Sequence, residues 1–467
     1  MIMVKIEIPS SVADIITRLG RAGFEAYIVG GCVRDSLIGR PVHDWDITTN
    51  ARPHDIKAVF AAARKIDIGE RHGTIAVKSG KDYHEVTTYR IDGAYGDGRR
   101  PDDVSFTNDV KEDLRRRDFT INAMAYNKTA GLVDFFGGLD DVKAGVVRAV
   151  GDAFERFDED YLRIMRAYRF AAVLGFNLDK TLRKAAKAGK QNLHNIAVER
   201  VQTEFTKILL ADDFDKIEMF FEDCGDALFP EITRLLGFAQ NNSYHYLDVY
   251  NHSMCVLRNT PAVITQRLAA LFHDTGKYET RTTDDKGVHH FYGHPKISYN
   301  IAEKTLKHWR FDNNTIGRTL DIIKYHDVEA KPEKRLLKRL LNKLGEDLAR
   351  DVLVFQIADN TAKSQLAKDY KLQDVIQAKQ MLEEIIAAKE PFKTSDLAID
   401  GRDVMEILGI APSAAVGQHL HRLIEHVLDN PEINTREGLI GLLKDFIPSC
   451  NLNHTKAQYD FSTQKPR

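Results

Sequence analysis

Two aspartates separated by one residue carry the clearest chemistry in the sequence. Asp44 and Asp46 lie in GGCVRDSLIGRPVHDWDITT, where the short run WDITTN predicts a β-strand. Side chains two apart on a strand point to the same face, so these carboxylates would repel each other unless a cation lies between them. Mg²⁺ meets that need, because it binds one or two carboxylates together with substrate phosphates.

Glycines and a basic residue precede the aspartates. Gly30 and Gly31 allow the backbone to approach a ligand closely, and Arg34 follows on a predicted helix, where it would favour phosphate. The combination predicts a nucleotide-phosphate site rather than a solvated Asp-x-Asp beside an ordinary glycine turn. Glu85, in YHEVTTY on a nearby predicted strand, is a candidate third carboxylate, and a plain strand glutamate is the alternative.

The class II tRNA nucleotidyltransferases and poly(A) polymerases have a signature that resembles GGCVRDSLIGRPVHDWDITT. The resemblance continues in order through HEVTTYRIDGAYGDGRRPDDVSF, DLRRRDFTINAMAYN, RFDEDYLRIMRAYRFAAVLGF and VERVQTEFTKIL. It implies that Asp44 and Asp46 hold the catalytic metals and that Gly31, Arg34 and Arg117 contact the triphosphate. The implied reaction is two-metal phosphoryl transfer, in which the 3′-hydroxyl of an RNA attacks and pyrophosphate leaves.

Asp160 and Arg163 are the candidates for choosing the nucleobase. They lie three apart at the start of a strongly helical run, where an ordinary ion pair on one helix face is the alternative. An ionised Asp only accepts hydrogen bonds and Arg only donates them, which matches the Watson–Crick edges of cytosine and adenine and mismatches guanine and uracil. The resemblance adds Arg166 and Arg169 to nucleotide binding.

The resemblance therefore implies template-independent addition of CCA to tRNA from CTP and ATP. The Gly-rich and charged segment 90–103 resembles the loop that the family needs to move from adding C to adding A, which disfavours an enzyme restricted to cytidine. An A-adding enzyme or a poly(A) polymerase would share every motif and stays an alternative.

A second set of metal-ligand side chains follows in LAALFHDTGKYET and the segments around it. These segments resemble the HD domain of metal-dependent phosphohydrolases, although HDTGKY departs from the usual HDIGKP-like ending. The resemblance implies one site from His252, His273, Asp274 and Asp359, with His294 and His326 supporting a second metal. Mn, Ni, Fe, Zn or Mg would suit such ligands.

The role of this second module stays open. Hydrolysis of cyclic phosphates or phosphomonoesters is one alternative, and an HD fold kept for RNA docking and stability is the other. A rival of another class is an HD phosphohydrolase whose head merely binds RNA.

Composition sets the limits on these alternatives. The chain has 467 residues, 43% hydrophobic and 29% charged, with a net charge of -2, which excludes a disordered chain and a wholly basic binder. No apolar run approaches about 18 residues, and the start does not resemble a signal peptide, so we expect no membrane association. The four scattered cysteines form neither a disulfide framework nor a CxxC site, which favours the cytoplasm.

The elements that must position these residues predict an α+β fold. A nucleotidyltransferase head with a small mixed sheet (1–150) is followed by helical neck (151–230), HD (231–375) and C-terminal (376–450) modules and a disordered polar tail (451–467). The C-terminal module resembles the family's tRNA-binding domain. The basic helices 179–190 and 331–345 are candidates for tRNA phosphates or ordinary solvated faces. The number of subunits stays open.

Overall fold

The chain folds into two compact units in a computed structural model that describes residues 5–63, 65–69, 72–93 and 104–446. The first unit comprises Met1–Ala239, Asp248–Arg281 and Phe291–Thr319, and the second comprises Gln240–Leu247, Thr282–His290 and Leu320–Arg467. A mixed sheet near the start precedes a long helical remainder, so the predicted α+β class is confirmed. The division into five segments stays a prediction, and the tail 451–467 lies outside the described residues.

The first unit begins with a seven-stranded sheet in the order β3-β4-β5-β2-β1-β8-β9. Its strands are β1 Ala26–Val29, β2 Ile47–Thr49, β3 Lys65–Gly69, β4 Thr74–Ser79, β5 Asp82–Thr88, β8 Met124–Asn127 and β9 Gly131–Asp134. All neighbours are antiparallel except β2 and β5, which run parallel. The remaining pairs are β6 Arg90–Asp92 with β7 Val104–Phe106, and β10 Val146–Val147 with β11 Asn177–Leu178.

The strands form because short β-branched and aromatic runs are covered by amphipathic helices. All four residues of β1 are buried, and α1 buries Val12, Ile15 and Leu19 at helical spacing. The helices of this part are α1 Ser10–Arg21, α2 Gly31–Leu37, α3 Pro53–Val59, α4 Val110–Arg115 and α5 Gly138–Ala144. A short 3₁₀ turn, Thr120–Asn122, leads into β8.

The rest of the first unit is almost entirely helical. Its helices are α6 Ala153–Glu159, α7 Leu162–Leu174, α8 Lys180–Gly189, α9 Val198–Leu209, α10 Phe214–Leu228, α11 Pro230–Thr233, α12 Val249–Asn259, α13 Ile264–Phe272, α14 Lys277–Thr280 and α15 His294–His308, with a 3₁₀ segment at Lys190–Asn195. Aromatic side chains fill the space between α7, α9 and α10. Phe205 stacks against Phe229 with ring centres 4.4 Å apart, and Phe220 meets Tyr168 edge-on. This packing fixes α7, which carries Arg163, one of the two nucleobase candidates.

The second unit has a helical core of its own. Its elements are the hairpin β12 Thr282–Thr283 and β13 His289–His290 and the helices α17 Lys334–Thr361, α18 Gln365–Ala367, α19 Gln373–Ala387, α20 Gly401–Leu408, α21 Ala414–Asp429 and α22 Arg436–Asp445. The helix α16, Asn313–Tyr325, has residues in both units. Buried leucines such as Leu341, Leu382 and Leu423 join these helices. The predicted basic helix is the first half of α17, which bends at Gly345 (φ 73°).

Two findings bear on the expected environment of the chain. No helix among the described residues is both long and apolar enough to cross a membrane. Cys32 and Cys224 are buried free thiols and Cys255 is a half-buried one, while Cys450 lies outside the described residues.

Candidate active site

The three predicted carboxylates are brought together by the parallel pairing of β2 and β5. Ile47 lies beside Val86, so the residues before them, Asp46 and Glu85, are neighbours in the same register. Asp44 precedes Asp46 by two residues, and all three side chains are exposed. The register therefore favours Glu85 as a third carboxylate of this site over a plain strand glutamate.

The sequence predicts Asp44 and Asp46 on a strand, but both residues lie just before that strand begins. β2 begins at Ile47, and Asp46 joins the sheet only through its carbonyl, which accepts a hydrogen bond from the Val29 amide at 3.0 Å. The ladder ends there, so Asp44 lies on the irregular segment that leads into the strand. Both carboxylates consequently lie at the beginning of a central strand, where they are exposed and a ligand has access.

The pKa values of Asp46 and Glu85 are raised, in part because the neighbouring carboxylates repel one another. Loss of solvation raises the pKa of Asp46, Arg117 opposes this shift, and the nearby Asp44 adds to it. Loss of solvation also raises the pKa of Glu85, with further contributions from Asp46 and then Asp44. A hard divalent cation binds carboxylate oxygens and would relieve the repulsion between them. These residues therefore fit such a metal.

Arg34 and Arg117 lie beside the glycine pair at the start of α2. Gly30 has a φ of 80°, and a β-carbon at that position would lie 2.8 Å from Nη1 of Arg117. The buried Arg34 donates from Nη1 to Oδ1 of Asn122 at 2.6 Å, and Gly31 leaves room beside its guanidinium. The positive φ favours glycine at position 30, and the absence of a β-carbon leaves the Arg117 guanidinium in contact with the backbone.

The nucleobase candidates occupy different local structures from those expected. Asp160 is not helical: it follows the end of α6 in an extended conformation (φ −150°), and α7 begins at Leu162. Its carboxylate receives a hydrogen bond from Arg200 at 2.8 Å, while the buried Arg163 donates to Glu159. Both charged groups are held in place by other residues, and the two remain close because the Arg163 amide donates to the Asp160 carbonyl at 2.9 Å.

Arg166 and Arg169 continue along α7 and contact acids that the sequence analysis missed. Arg166 donates from Nε to Oδ2 of Asp118 at 2.8 Å, and Nε of Arg169 lies 2.6 Å from Glu204. Asp118 also accepts from Asn122 at 3.2 Å. The one available signal was that Asp118 directly follows three arginines; its partner on α7 is 48 residues away, beyond any local pattern.

The base of the predicted loop is a short hairpin, β6 with β7. Arg90 pairs with Phe106, and Asp92 pairs with Val104. Asp92 forms ion pairs with Arg90 at 3.2 Å and with Arg116 at 3.7 Å. Residues 94–103 of the loop lie outside the described residues.

Three of the predicted ligands, all histidines, gather around a fourth, Asp274, in the first unit. The Nε2 atoms of His252, His273 and His294 lie 3.6, 3.2 and 3.2 Å from its carboxylate oxygens, and all of these side chains are buried. His252, His273 and Asp274 offer ligand atoms within 4.8 Å of one another. The Lys277 ammonium also contacts Asp274, at 2.7 Å.

Backbone carbonyls orient two of these histidine rings so that Nε2 faces Asp274. Nδ1 of His273 lies 3.0 Å from the Ala270 carbonyl, and Nδ1 of His294 lies 2.9 Å from that of Phe291. Because a carbonyl only accepts, Nδ1 carries a proton, and Nε2 is the ring atom that faces Asp274 and could bind a metal. Burial alone would raise the pKa of Asp274, but His273 and Lys277 hold it well below its usual range. The donor set therefore fits a divalent metal.

The last two predicted ligands belong to the second unit. His326 is buried at the end of α16, with Nδ1 2.7 Å from the Ile323 carbonyl. Asp359 is buried in α17 and accepts from Lys363 at 2.6 Å. Their participation in a metal site stays a prediction.

Family models match most of the chain. Residues 26–148 match the Poly A polymerase head domain, and residues 175–236 match the model described as Probable RNA and SrmB-binding site of polymerase A. Residues 285–443 match tRNA nucleotidyltransferase domain 2.

Curated relatives decide the assignment. A CCA-adding enzyme of Leuconostoc mesenteroides is 50% identical over 196 residues, a match that spans 42% of this chain and about half (48%) of that relative. A CCA-adding enzyme of Lactobacillus delbrueckii is 32% identical over 442 residues, which cover 94% of this chain and 98% of the relative. The chain belongs to the CCA-adding enzyme family.

A solved structure agrees with this membership. The Bacillus stearothermophilus CCA-adding enzyme in complex with CTP is 28% identical, with a TM-score of 0.70 over 93% of this chain and 96% of that one. The Thermotoga maritima CCA-adding enzyme, 20% identical with a TM-score of 0.59, shares the fold over 94% of this chain and 96% of that one. The expected resemblance to the class II nucleotidyltransferases is thereby confirmed.

Asp118 should give this CCA-adding family member a characteristic acid sensitivity. Burial would raise its pKa, but Arg166 and Asn122 lower it to about 2. A folded pKa below the unfolded value stabilises the fold above about pH 4, and that contribution is lost as the pH falls towards 2. We expect Asp118→Asn to lower the free energy of unfolding by about 2 kcal/mol at pH 7, with the difference shrinking between pH 4 and 2.

Urea unfolding followed by circular dichroism over this pH range measures the difference. Asp140→Asn, which changes an exposed aspartate, is the matched control and should show no such pH dependence. A difference between wild type and Asp118→Asn that stays constant from pH 7 to 2 would contradict the assignment.

Proposed function

We propose that this chain adds the 3′-terminal CCA to tRNA, without a nucleic-acid template, from CTP and ATP. The observation that carries the proposal is the cluster of Asp44, Asp46 and Glu85 around the start of β2, with Arg117 and the start of α2 nearby. The full-length similarity to enzymes called CCA-adding favours this activity over an A-adding enzyme or a poly(A) polymerase. The alternative, an HD phosphohydrolase whose head merely binds RNA, does not explain why three carboxylates lie together around the start of β2.

The reaction is an in-line displacement at the α-phosphorus of the nucleotide. A bond forms between the RNA 3′-oxygen and the α-phosphorus, the bond to the bridging oxygen breaks, and pyrophosphate leaves. Asp44 and Asp46, with Glu85, would hold divalent cations, Mg²⁺ in our proposal, which when bound neutralise the charge that develops on the phosphate oxygens. Arg34 and Arg117 would hold the triphosphate, aided by the close backbone at Gly31.

Asp160 and Arg163 would select the base. Asp160 accepts from the exocyclic amino group of cytosine or adenine, and Arg163 donates to the adjacent ring nitrogen. Their contacts with Arg200 and Glu159 hold each charge before the nucleotide arrives, which favours a fixed hydrogen-bond pattern over an adaptable one. Guanine and uracil would place an acceptor against the carboxylate, so both would be rejected.

Substitution of the paired aspartates tests the transferase directly. We expect Asp44→Asn and Asp46→Asn each to lower CTP incorporation into tRNA lacking CCA by at least about 10³-fold, because the divalent cations lose a charged ligand. Incorporation of labelled nucleotide is the readout, and tRNA binding measured by filter retention should stay within about threefold, since phosphate contacts elsewhere supply most of the affinity.

Asp14→Asn provides the matched control, because it changes an exposed aspartate of α1 in the same unit. Incorporation by Asp44→Asn or Asp46→Asn at the rate of this control would reject the transferase assignment.

We also propose that His252, His273 and Asp274 bind one divalent metal, with His294 facing the other oxygen of that carboxylate. The three Nε2 atoms near Asp274, two of them on histidines whose Nδ1 donates to a backbone carbonyl, support this site. Imidazole-rich sites prefer Zn, Ni, Fe or Mn to Mg. A phosphomonoester or a cyclic phosphate at an RNA 3′ end is the substrate class that such a site could hydrolyse.

Metal analysis tests this second site separately from nucleotide addition. After incubation with Zn²⁺, Ni²⁺ or Mn²⁺ and gel filtration, wild type should retain about one equivalent and His273→Ala almost none, because the metal loses a buried ligand. Exposed His308 on α15 is the matched control, and His308→Ala should retain the metal. Equal metal content in wild type and His273→Ala would exclude the site, whereas CCA addition should be unchanged in both variants.

We infer that the enzyme works in the cytoplasm, since its two buried cysteines are free thiols and tRNA is its substrate.

A further inference from the structure

Three arginines surround one phenylalanine ring beside the proposed nucleotide site. The guanidinium carbons of Arg169, Arg34 and Arg166 lie 4.0, 4.9 and 5.4 Å from the ring centre of Phe170. These distances fall within the range of cation–π attraction, in which the negative face of the ring stabilises a cation. Phe170 is buried, and its ring meets that of Phe119 edge-on at 5.8 Å.

The ring links two distant parts of the first unit. Arg166, Arg169 and Phe170 lie on α7, where residues four apart share one face, whereas Arg34 lies on α2. No role was predicted for Phe170 from the sequence. The structure adds that its ring is the common contact of arginines separated by more than 130 positions in the sequence.

Each guanidinium is also held by an acid or amide away from the ring. Arg34 contacts Asp35 and Asn122, Arg166 contacts Asp118, and Arg169 contacts Glu204. Nε and Nη2 of Arg166 both contact Oδ2 of Asp118. The contact with Asp118 therefore does not use the Nη1 donors of Arg166. A guanidinium fixed between a carboxylate and an aromatic face keeps its plane and can still donate to a further anion.

Bringing three cations together has an electrostatic cost that the surroundings must offset. Burial lowers the pKa of Arg169, and Glu204 opposes this shift. Repulsion from the neighbouring Arg166 lowers the pKa of Arg169 further. The acids balance the net charge. The ring provides an attraction common to all three arginines, and it needs no hydrogen bond that a phosphate would have to break.

We propose that Phe170 is a positioning residue that assembles Arg34, Arg166 and Arg169 into a preformed binding site for the polyphosphate of the nucleotide. The inference rests on the proposed function and names a residue outside the contacts suggested by the sequence. A cluster that is ordered before the ligand binds avoids the entropy cost of ordering three long side chains. Phe170 would therefore set the affinity for the triphosphate and for pyrophosphate, and would leave base selection to Asp160 and Arg163.

Binding to the full-length protein without tRNA tests the role of the ring. Isothermal titration with CTP and with pyrophosphate, both in Mg²⁺, should show dissociation constants about tenfold higher in Phe170→Leu than in wild type. Because the leucine variant also alters packing, a second variant carries 3,4,5-trifluorophenylalanine at position 170, which keeps the shape and weakens the negative face. Its affinity for both ligands should fall between those of wild type and Phe170→Leu.

Kinetics separate positioning from a merely structural role. In Phe170→Leu the KM for CTP should rise about tenfold, kcat should stay within about threefold of wild type, and the preference for CTP over UTP should be unchanged. Phe220→Leu is the matched control, because this buried ring packs against Phe205 and meets Phe221 edge-on; the KM of this variant should match wild type. A kcat decrease at constant KM in Phe170→Leu would overturn the proposal.

Two binding results would also overturn it. Unchanged dissociation constants in Phe170→Leu would exclude the role, and so would a trifluorinated ring that binds CTP and pyrophosphate as wild type does. The proposed function is judged by a different readout, the extension of tRNA by the wild-type chain. A wild type that binds CTP but never extends tRNA would reject that function and leave the ligand-binding role of Phe170 to be decided by titration.

Discussion

Repulsion between carboxylates held side by side is the constraint on which the rest of this structure depends. Asp46 and Glu85 are neighbours because β2 and β5 run parallel. Asp44 lies two residues before Asp46, on the segment that leads into β2. Such a cluster is unfavourable without cations, and it is tolerated in proteins where a divalent metal and an anionic substrate complete it. The sheet exposes the carboxylates and places the buried Arg34 at the start of the adjoining helix.

The positive side of the site is organised by buried acids and one aromatic ring. Asp118 joins the head to α7 through Arg166, and Asn122 connects Asp118 to Arg34. Polar groups buried in such a network have to be satisfied together, so the network fixes the position of α7 relative to the sheet within the first unit. The residues proposed for nucleobase selection and for phosphate binding consequently share one support.

The sequence predicted the chemistry of this site better than its local geometry. Asp44, Asp46 and Arg34 were recognisable because residue type and short spacing carry the information. Glu85 was ambiguous until the strand register placed it beside Asp46, since register depends on the whole sheet. The contacts of Asp160 with Arg200 and of Asp118 with Arg166 join residues 40 or more positions apart, which no local pattern encodes. The fold class followed from the change of periodicity near Ala153, where α6 begins.

We propose that the protein itself, with three carboxylates and an Asp/Arg pair, builds a defined sequence on an RNA end. The most direct measurement supplies tRNAs that lack CCA, or end in C or CC, with all four nucleoside triphosphates, and sequences the products. We expect every tRNA to be completed to CCA, in that order, with no U or G, and extension then to stop. Addition of A alone to tRNA ending in CC, or growth of a homopolymer, would contradict it.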